Sequence, residues 1–389
     1  MTSSGSEQVS NESESSHGGE KVRSLLRAAI DERILPGACV LASVCGDEFL
    51  SVAEGNRTLV ADSEQALPLS FDTVFDLGRL TQSVCVATLM MRLVSSGKIS
   101  PTDRATRYLQ TMGVGQKARI TLAHLLSHTA GFPAGGSVYD ELVKANAGPR
   151  PGILASGGAK QYAYNHFQSL GLRFEPGARE LHSDINYIIL GNICEVVTGL
   201  PLEKAFVRYV AAPVQLASMN FIDLTILRRR RLEPMVELFA PMGTCNRRER
   251  VIAGEVWDEN AWVMGGVAGH AGLFGTINDL HKWGQEILDA VHGRSQIIAP
   301  EVARMFLGIE GAPEEYKGFG FMSPSKETGF ISEENADNVC VALSGTGSSV
   351  LIDCARELII IFLGGISASH QNLRKLNALR SEVHAAIVA

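Results

Sequence analysis

The two ends of this chain match in kind, and that match narrows the folds open to it more than any other feature. From Lys21 to Ile34, KVRSLLRAAIDERI carries apolar residues at helical spacing, and Pro36-Gly37 stops it. GACVLASVCGDEFLSVAEG follows, alternating small and branched residues around Gly46-Asp47 as a hairpin does. Near the other end, NVCVALSGTGSSVLID and RELIIIFLGG read as two strands joined at Asp353 to Arg356. NLRKLNALRSEVHAAIV then closes the chain as an amphipathic helix. Between the ends the signals are mostly helical, in CVATLMMRLVSSG, TLAHLLSH, INYIILGNICEVVTG, LEKAFVRYV and INDLHKWGQEILDAV. The pattern predicts a sheet assembled from both termini, over about residues 21–78 and 301–389, with a helical lobe inserted over about 79–300. Residues 1–20 contain Ser, Glu and Gly with no apolar run, and are expected as a disordered tail ahead of one domain, 21–389.

Charge and cysteine usage limit the partners. The formal net charge of -7 over 389 residues disfavours nucleic acid, which needs an excess of Lys and Arg on one face. Arg228 to Arg231 is one basic run, and without interleaved aromatics it reads as a solvated helix or loop face in preference to a phosphate or lipid patch. The seven cysteines have no CxxC or Cys/His ligand spacing and read as reduced thiols. No apolar run is long enough to span a bilayer, and no leader segment is visible. A cytoplasmic address with no membrane partner is the expectation.

Six stretches then follow one another as landmarks: FDLGRLTQ, GKISPTDRATRYL, ITLAHLLSHTAGFP, FEPGARELHSDINYIILGNICEVVTGLPL, GEVWDENAWVMGGVAGHAGLFGTINDLHKW and SGTGSSVLIDCARELIIIFL. Over roughly residues 20 to 385 the chain resembles the serine beta-lactamase and penicillin-binding-protein family, above all its class C beta-lactamase and DD-peptidase-like branch. The resemblance implies an α+β fold of beta-lactamase/transpeptidase type, an antiparallel sheet flanked by the terminal helices with an inserted, mostly helical lobe and an active site between the two. It also implies a serine nucleophile at the start of a buried helix, a lysine one turn later and a tyrosine from the helical lobe. A strand-borne Lys/His-Thr/Ser-Gly element forms the far wall, where a backbone N–H joins the oxyanion hole.

This sequence departs at each of those positions. The serine falls on Arg79, always charged and with no nucleophilic role in acyl transfer, and the lysine on Gln82, which is no base. The tyrosine falls on His182, and the third element on Leu343-Ser344-Gly345, of which only Ser344 and Gly345 fit. Other serines have weaker claims. Ser83 lies about 100° around the helix from Arg79. Ser95 to Lys98 and Ser323 to Lys326 satisfy a bare SxxK outside the expected place. Ser183, between His182 and Asp184, is the best substitute, although adjacency in sequence is not triad geometry.

The remaining candidates are read as framework. His124 and His128 have an i, i+4 spacing that suits a metal, but the glutamate of HExxH is absent and packing is favoured. His270 sits among small residues that let backbone segments approach closely. Asp258, Glu259 and Asn260, flanked by Trp257 and Trp262, carry no specific acid/base spacing. An arginine at position 79 either clamps an anionic ligand or is neutralised by the chain's own Asp184 or Glu259, and contact with either carboxylate decides for the second. The expectation is a non-acylating pseudoenzyme with a ligand site of Arg79, Gln82, His182, Ser344 and Gly345. Its occupant is a small or peptide-like molecule, anionic ones included, or a protein partner, with no cofactor and no metal. The alternative is repurposed acid/base chemistry on His182, Asp184 and Arg79 (hydrolase, acyltransferase, isomerase or lyase), or a serine hydrolase with a relocated nucleophile.

Overall fold

A computed structural model describes residues 6–57, 67–150, 152–310, 318–324, 336–365 and 370–388. The strands β1 (Gly37–Val44) and β2 (Asp47–Gly55) come from one end of the chain. From the other end come β3 (Val339–Leu343), β4 (Ser349–Asp353) and β5 (Leu358–Gly364). They form an antiparallel sheet in the order β2-β1-β5-β4-β3. The seam between the ends of the chain is therefore β1 against β5, with Ala38 opposite Gly364 and Val44 opposite Leu358. At the first hairpin Cys45 (φ 53°) and Gly46 (φ 86°) supply the two left-handed residues that a tight turn between right-twisted strands requires.

One expectation needs correction. NVCVALSGTGSSVLID is not a single strand but the hairpin β3–β4, turned over residues 344–348, where the Gly347 N–H donates to the Ser344 carbonyl. Gly347 at φ 88° makes the turn possible, and the apolar residues on both sides of it masked the break.

The inner strands are covered on both faces, so they are apolar almost throughout. Ala38, Val40, Ala42, Leu358, Ile360 and Phe362 face the terminal helices α1 (Ser6–Asp31) and the closing helix His370–Val388. Cys39, Leu41, Ile359, Ile361 and Leu363 face the larger core shared with the helical lobe. That period-2 split is the pleat of a strand sorting its side chains between two cores. The first helix extends back through residues 6–20, beyond the stretch that composition marked as helical; without a proline, hydrogen bonding propagates from the packed turns.

Three more helices place the site. They are α2 (Gln82–Ser95), α3 (Asp184–Thr198) and α4 (Ile277–Val291), which makes the closing helix α5. The first part of α2, Gln82–Ala87, is π-helical and fully buried, with the Thr88 hydroxyl reaching back to the Ser83 carbonyl at 2.9 Å. On α4, Trp283 is buried and donates to the Thr88 hydroxyl at 3.0 Å, tying the sheet's inner cover to α2.

Candidate functional site

The cleft floor is built from a turn, a helix start and a hairpin. A two-residue strand, Phe75–Asp76, pairs with Leu273–Gly275 and leads into the turn before α2. Asp76 is buried and fixes that turn by accepting the Gly78 N–H at 2.8 Å and the Trp257 N–H at 2.7 Å. Burial pushes its carboxyl up to about 6, against the pull of those two hydrogen bonds. Gly78 takes φ 52°, and a Cβ there would collide with the Ser344 hydroxyl, so a side chain is excluded on two counts.

Arg79 follows. Its N–H donates to Ser344 Oγ at 3.1 Å, and that oxygen also accepts from the N–H and hydroxyl of Thr346 at 3.3 and 2.9 Å. The hydroxyl of the third element thus takes up the backbone N–H of the residue that stands at the serine position of the resemblance. The guanidinium passes over Gly345, where an added Cβ would lie 3.4 Å from Nη1.

Asp184, the first residue of α3, is the hub. Arg79 donates to it through Nε at 3.0 Å and Nη2 at 2.8 Å, a two-point clamp. Gln82 Nε2 donates to Oδ1 at 2.9 Å, and His182 Nε2 lies 3.6 Å from the same oxygen. The positions of serine, lysine and tyrosine in the resemblance therefore all converge on one carboxylate. Burial acts to raise the Asp184 carboxyl, but His182, Arg79 and the charge of His270 hold it well below the usual carboxylate range. Its place at a helix N-terminus works in the same direction. Glu259 does not share in this; it pairs with Arg247 at 3.1 Å. The side chains of Arg79 (43% exposed) and His182 (48%) remain partly open to solvent, while that of Asp184 is at 20%.

The alternative serines have other duties. Ser183 is buried and donates to the Pro133 carbonyl at 2.6 Å, so the sequence trio His182-Ser183-Asp184 is not a triad in space. Ser83 donates to the Gly320 carbonyl, and Ser95 accepts from the Ala299 N–H at 3.0 Å. Lys326, the end of the other SxxK, lies outside the described residues.

The histidines divide in the same way. His124 closes a capping box with Thr121, at 3.1 and 3.2 Å. Asn186 Nδ2 lies 3.2 Å from His128 Nδ1, and the Ser183 N–H donates to the same nitrogen at 3.3 Å, so His128 braces the start of α3. Among the described residues no three His, Cys, Asp or Glu side chains gather to hold a metal ion. Separate treatment of His270 and Asp258 missed that they pair at 2.9 Å beneath the cleft. Burial opposes both charges, but mutual attraction prevails, lifting His270 and lowering Asp258. The twelve-residue spacing carries no periodic signal that could have joined them.

The beta-lactamase family model matches residues 22–385. The chain belongs to the beta-lactamase family. A D-alanyl-D-alanine carboxypeptidase, so named, of Escherichia coli K12 is 28% identical over an alignment of 267 positions that covers 62% of this chain and 57% of that protein. The chain thus spans a little over half the length of this relative. Among solved structures, EstCE1, a hydrolase with promiscuous acyltransferase activity, superposes with a TM-score of 0.69 at 20% identity, covering 95% of this chain and 99% of its own. The octameric penicillin-binding protein homologue from Pyrococcus abyssi gives 0.68 at 18%, covering 95% and 77%. At such identities these two likenesses show the fold of this beta-lactamase-family chain and nothing finer.

Proposed function

We propose that this chain is a non-acylating member of the beta-lactamase family that keeps the cleft as a binding site. The observation that carries this reading is the convergence of Arg79, Gln82 and His182 on Asp184. Drift after loss of activity would leave unrelated side chains at three positions, each with its own desolvation cost. Here the replacements satisfy one another, and the Ser344 hydroxyl takes up the Arg79 N–H. The occupant is a small or peptide-like ligand. The clamp on Asp184 decides that Arg79 is neutralised within the chain and no longer favours an anionic group, while the carboxypeptidase and acyltransferase names among similar proteins favour a peptide or acyl shape. Seven free thiols favour a reducing compartment, the cytoplasm.

Intact-protein mass spectrometry after incubation with a fluorophosphonate and with a fluorescent penicillin tests this, with an active serine hydrolase as positive control. The expected result is an unmodified mass with both probes. A stoichiometric adduct mapped to one serine would overturn the reading in favour of a relocated nucleophile.

A further inference from the structure

The basic run that sequence alone assigns to a solvated face gains a second property in the structure. Arg228–Arg230 end the short helix Leu224–Arg230, and Arg231 turns the chain out of it at φ 54°. From Arg228 to Leu238 every residue is exposed except Pro234, which is half-buried. Twelve large apolar side chains are exposed among the described residues, and Leu232 (54%), Met235 (60%), Val236 (55%) and Leu238 (44%) all belong to this one stretch. A basic helix end complements the helix dipole, which accounts for a cation or two but not for the apolar residues beside them.

The arginines also differ from their neighbours in being uncommitted. Arg228 donates to the Leu154 carbonyl and lies 5.5 Å from the Trp262 ring; Arg247 pairs with Asp140 and Glu259, and Arg250 with Glu255. Among the described residues Arg229, Arg230 and Arg231 form no ion pair, although Glu233 and Glu237 lie in the same stretch. In a chain of net charge -7, three unpaired guanidinium groups next to four exposed apolar side chains are a local inversion of the surface.

We propose that residues 228–238 form a docking surface for the anionic face of a lipid bilayer. Guanidinium groups bind phosphodiesters through paired hydrogen bonds, and exposed apolar side chains enter the headgroup boundary. A continuous run of exposed basic and apolar side chains suits a deformable lipid surface, whereas a shaped protein partner requires a complementary face. Such a surface departs from the expectation of no membrane partner, with Leu232, Met235, Val236 and Leu238 standing in for the aromatics that the run lacks. The docked edge adjoins the cleft: Val74, which accepts the Ala240 N–H and donates to the Leu238 carbonyl, directly precedes the strand leading to Arg79.

Co-sedimentation of the full chain with phosphatidylcholine vesicles, with and without phosphatidylglycerol, tests the surface. Binding is expected only to the anionic vesicles, and high salt should weaken it. With each arginine contributing about fivefold near such a surface, the variant carrying R229E, R230E and R231E should lose at least about a hundredfold in partitioning. Met235→Ser with Val236→Ser, which keeps the charge, should weaken binding by about tenfold. Absence of vesicle binding, or binding indifferent to both variants, overturns the proposal. Arginine-dependent retention on polyglutamate without vesicle binding also overturns it, in favour of an acidic polypeptide partner.

Discussion

At His128, burial together with the neighbouring His182 pushes the imidazole down to about 3, so it stays neutral and accepts hydrogen bonds at Nδ1. The consequence for stability has a definite sign. Above about pH 6.5 both folded and unfolded states hold this group neutral, and its contribution is complete. As pH falls, the unfolded chain takes up the proton first, and stability is lost down to about pH 3. The slope is at most about 1.4 kcal/mol per pH unit for one group. His128→Asn keeps an acceptor at the Nδ1 position and tolerates the φ of 56°, so it should flatten this limb. Urea midpoints at neutral and mildly acidic pH, compared with the parent, check it, and an unchanged slope would remove His128 from the account. At this scale much was legible: the residue standing for serine is implied by the family resemblance, and the need for a carboxylate beside it, with Asp184 as one candidate partner, follows from residue chemistry. The capture of the Arg79 N–H by Ser344 does not, because a backbone donor carries no signature in sequence.

Helix α3 meets the glycine-rich segment around residue 270 backbone to backbone. A Cβ on Gly269 would collide with the Tyr187 carbonyl, and one on Gly191 would lie 3.0 Å from Gly269 Cα. The sequence reading of that segment as a place of close approach rests on this reasoning, and the partner helix is what the structure adds. Gly269→Ala should cost about 1–3 kcal/mol by overpacking, and more if α3 moves off its seat and carries Asp184 away from Arg79. Thermal or urea unfolding measures it, and a stability equal to the parent would mean that the contact is slack. Element boundaries were less legible. The hairpin β3–β4 looks like one strand because apolar residues continue on both sides of the turn, and the π-helical start of α2 leaves no periodic mark.

For the molecule as a whole, the architecture was legible because the two ends carry complementary patterns, while the lining of the cleft required coordinates. The outer core joins Val22, Leu26 and Ala29 of α1 to Leu376, Leu379 and Val383 of α5 over one face of the sheet. Each Leu or Val there contributes about 1.5–3 kcal/mol by burial, so removing α5 sacrifices an amount comparable with the whole margin of a folded domain. A chain ending at Gly365 should therefore fail to accumulate as soluble monomer, as judged by size-exclusion chromatography; a monomeric, cooperatively melting product would show that the outer core is dispensable. The seam between β1 and β5 also has a meaning in time. The two partners leave the ribosome at different times, separated by roughly 15 to 65 s at ordinary elongation rates. Throughout that interval the first hairpin, packed against α1, keeps the edge of β1 open, so the central sheet can close only once β5 has been made.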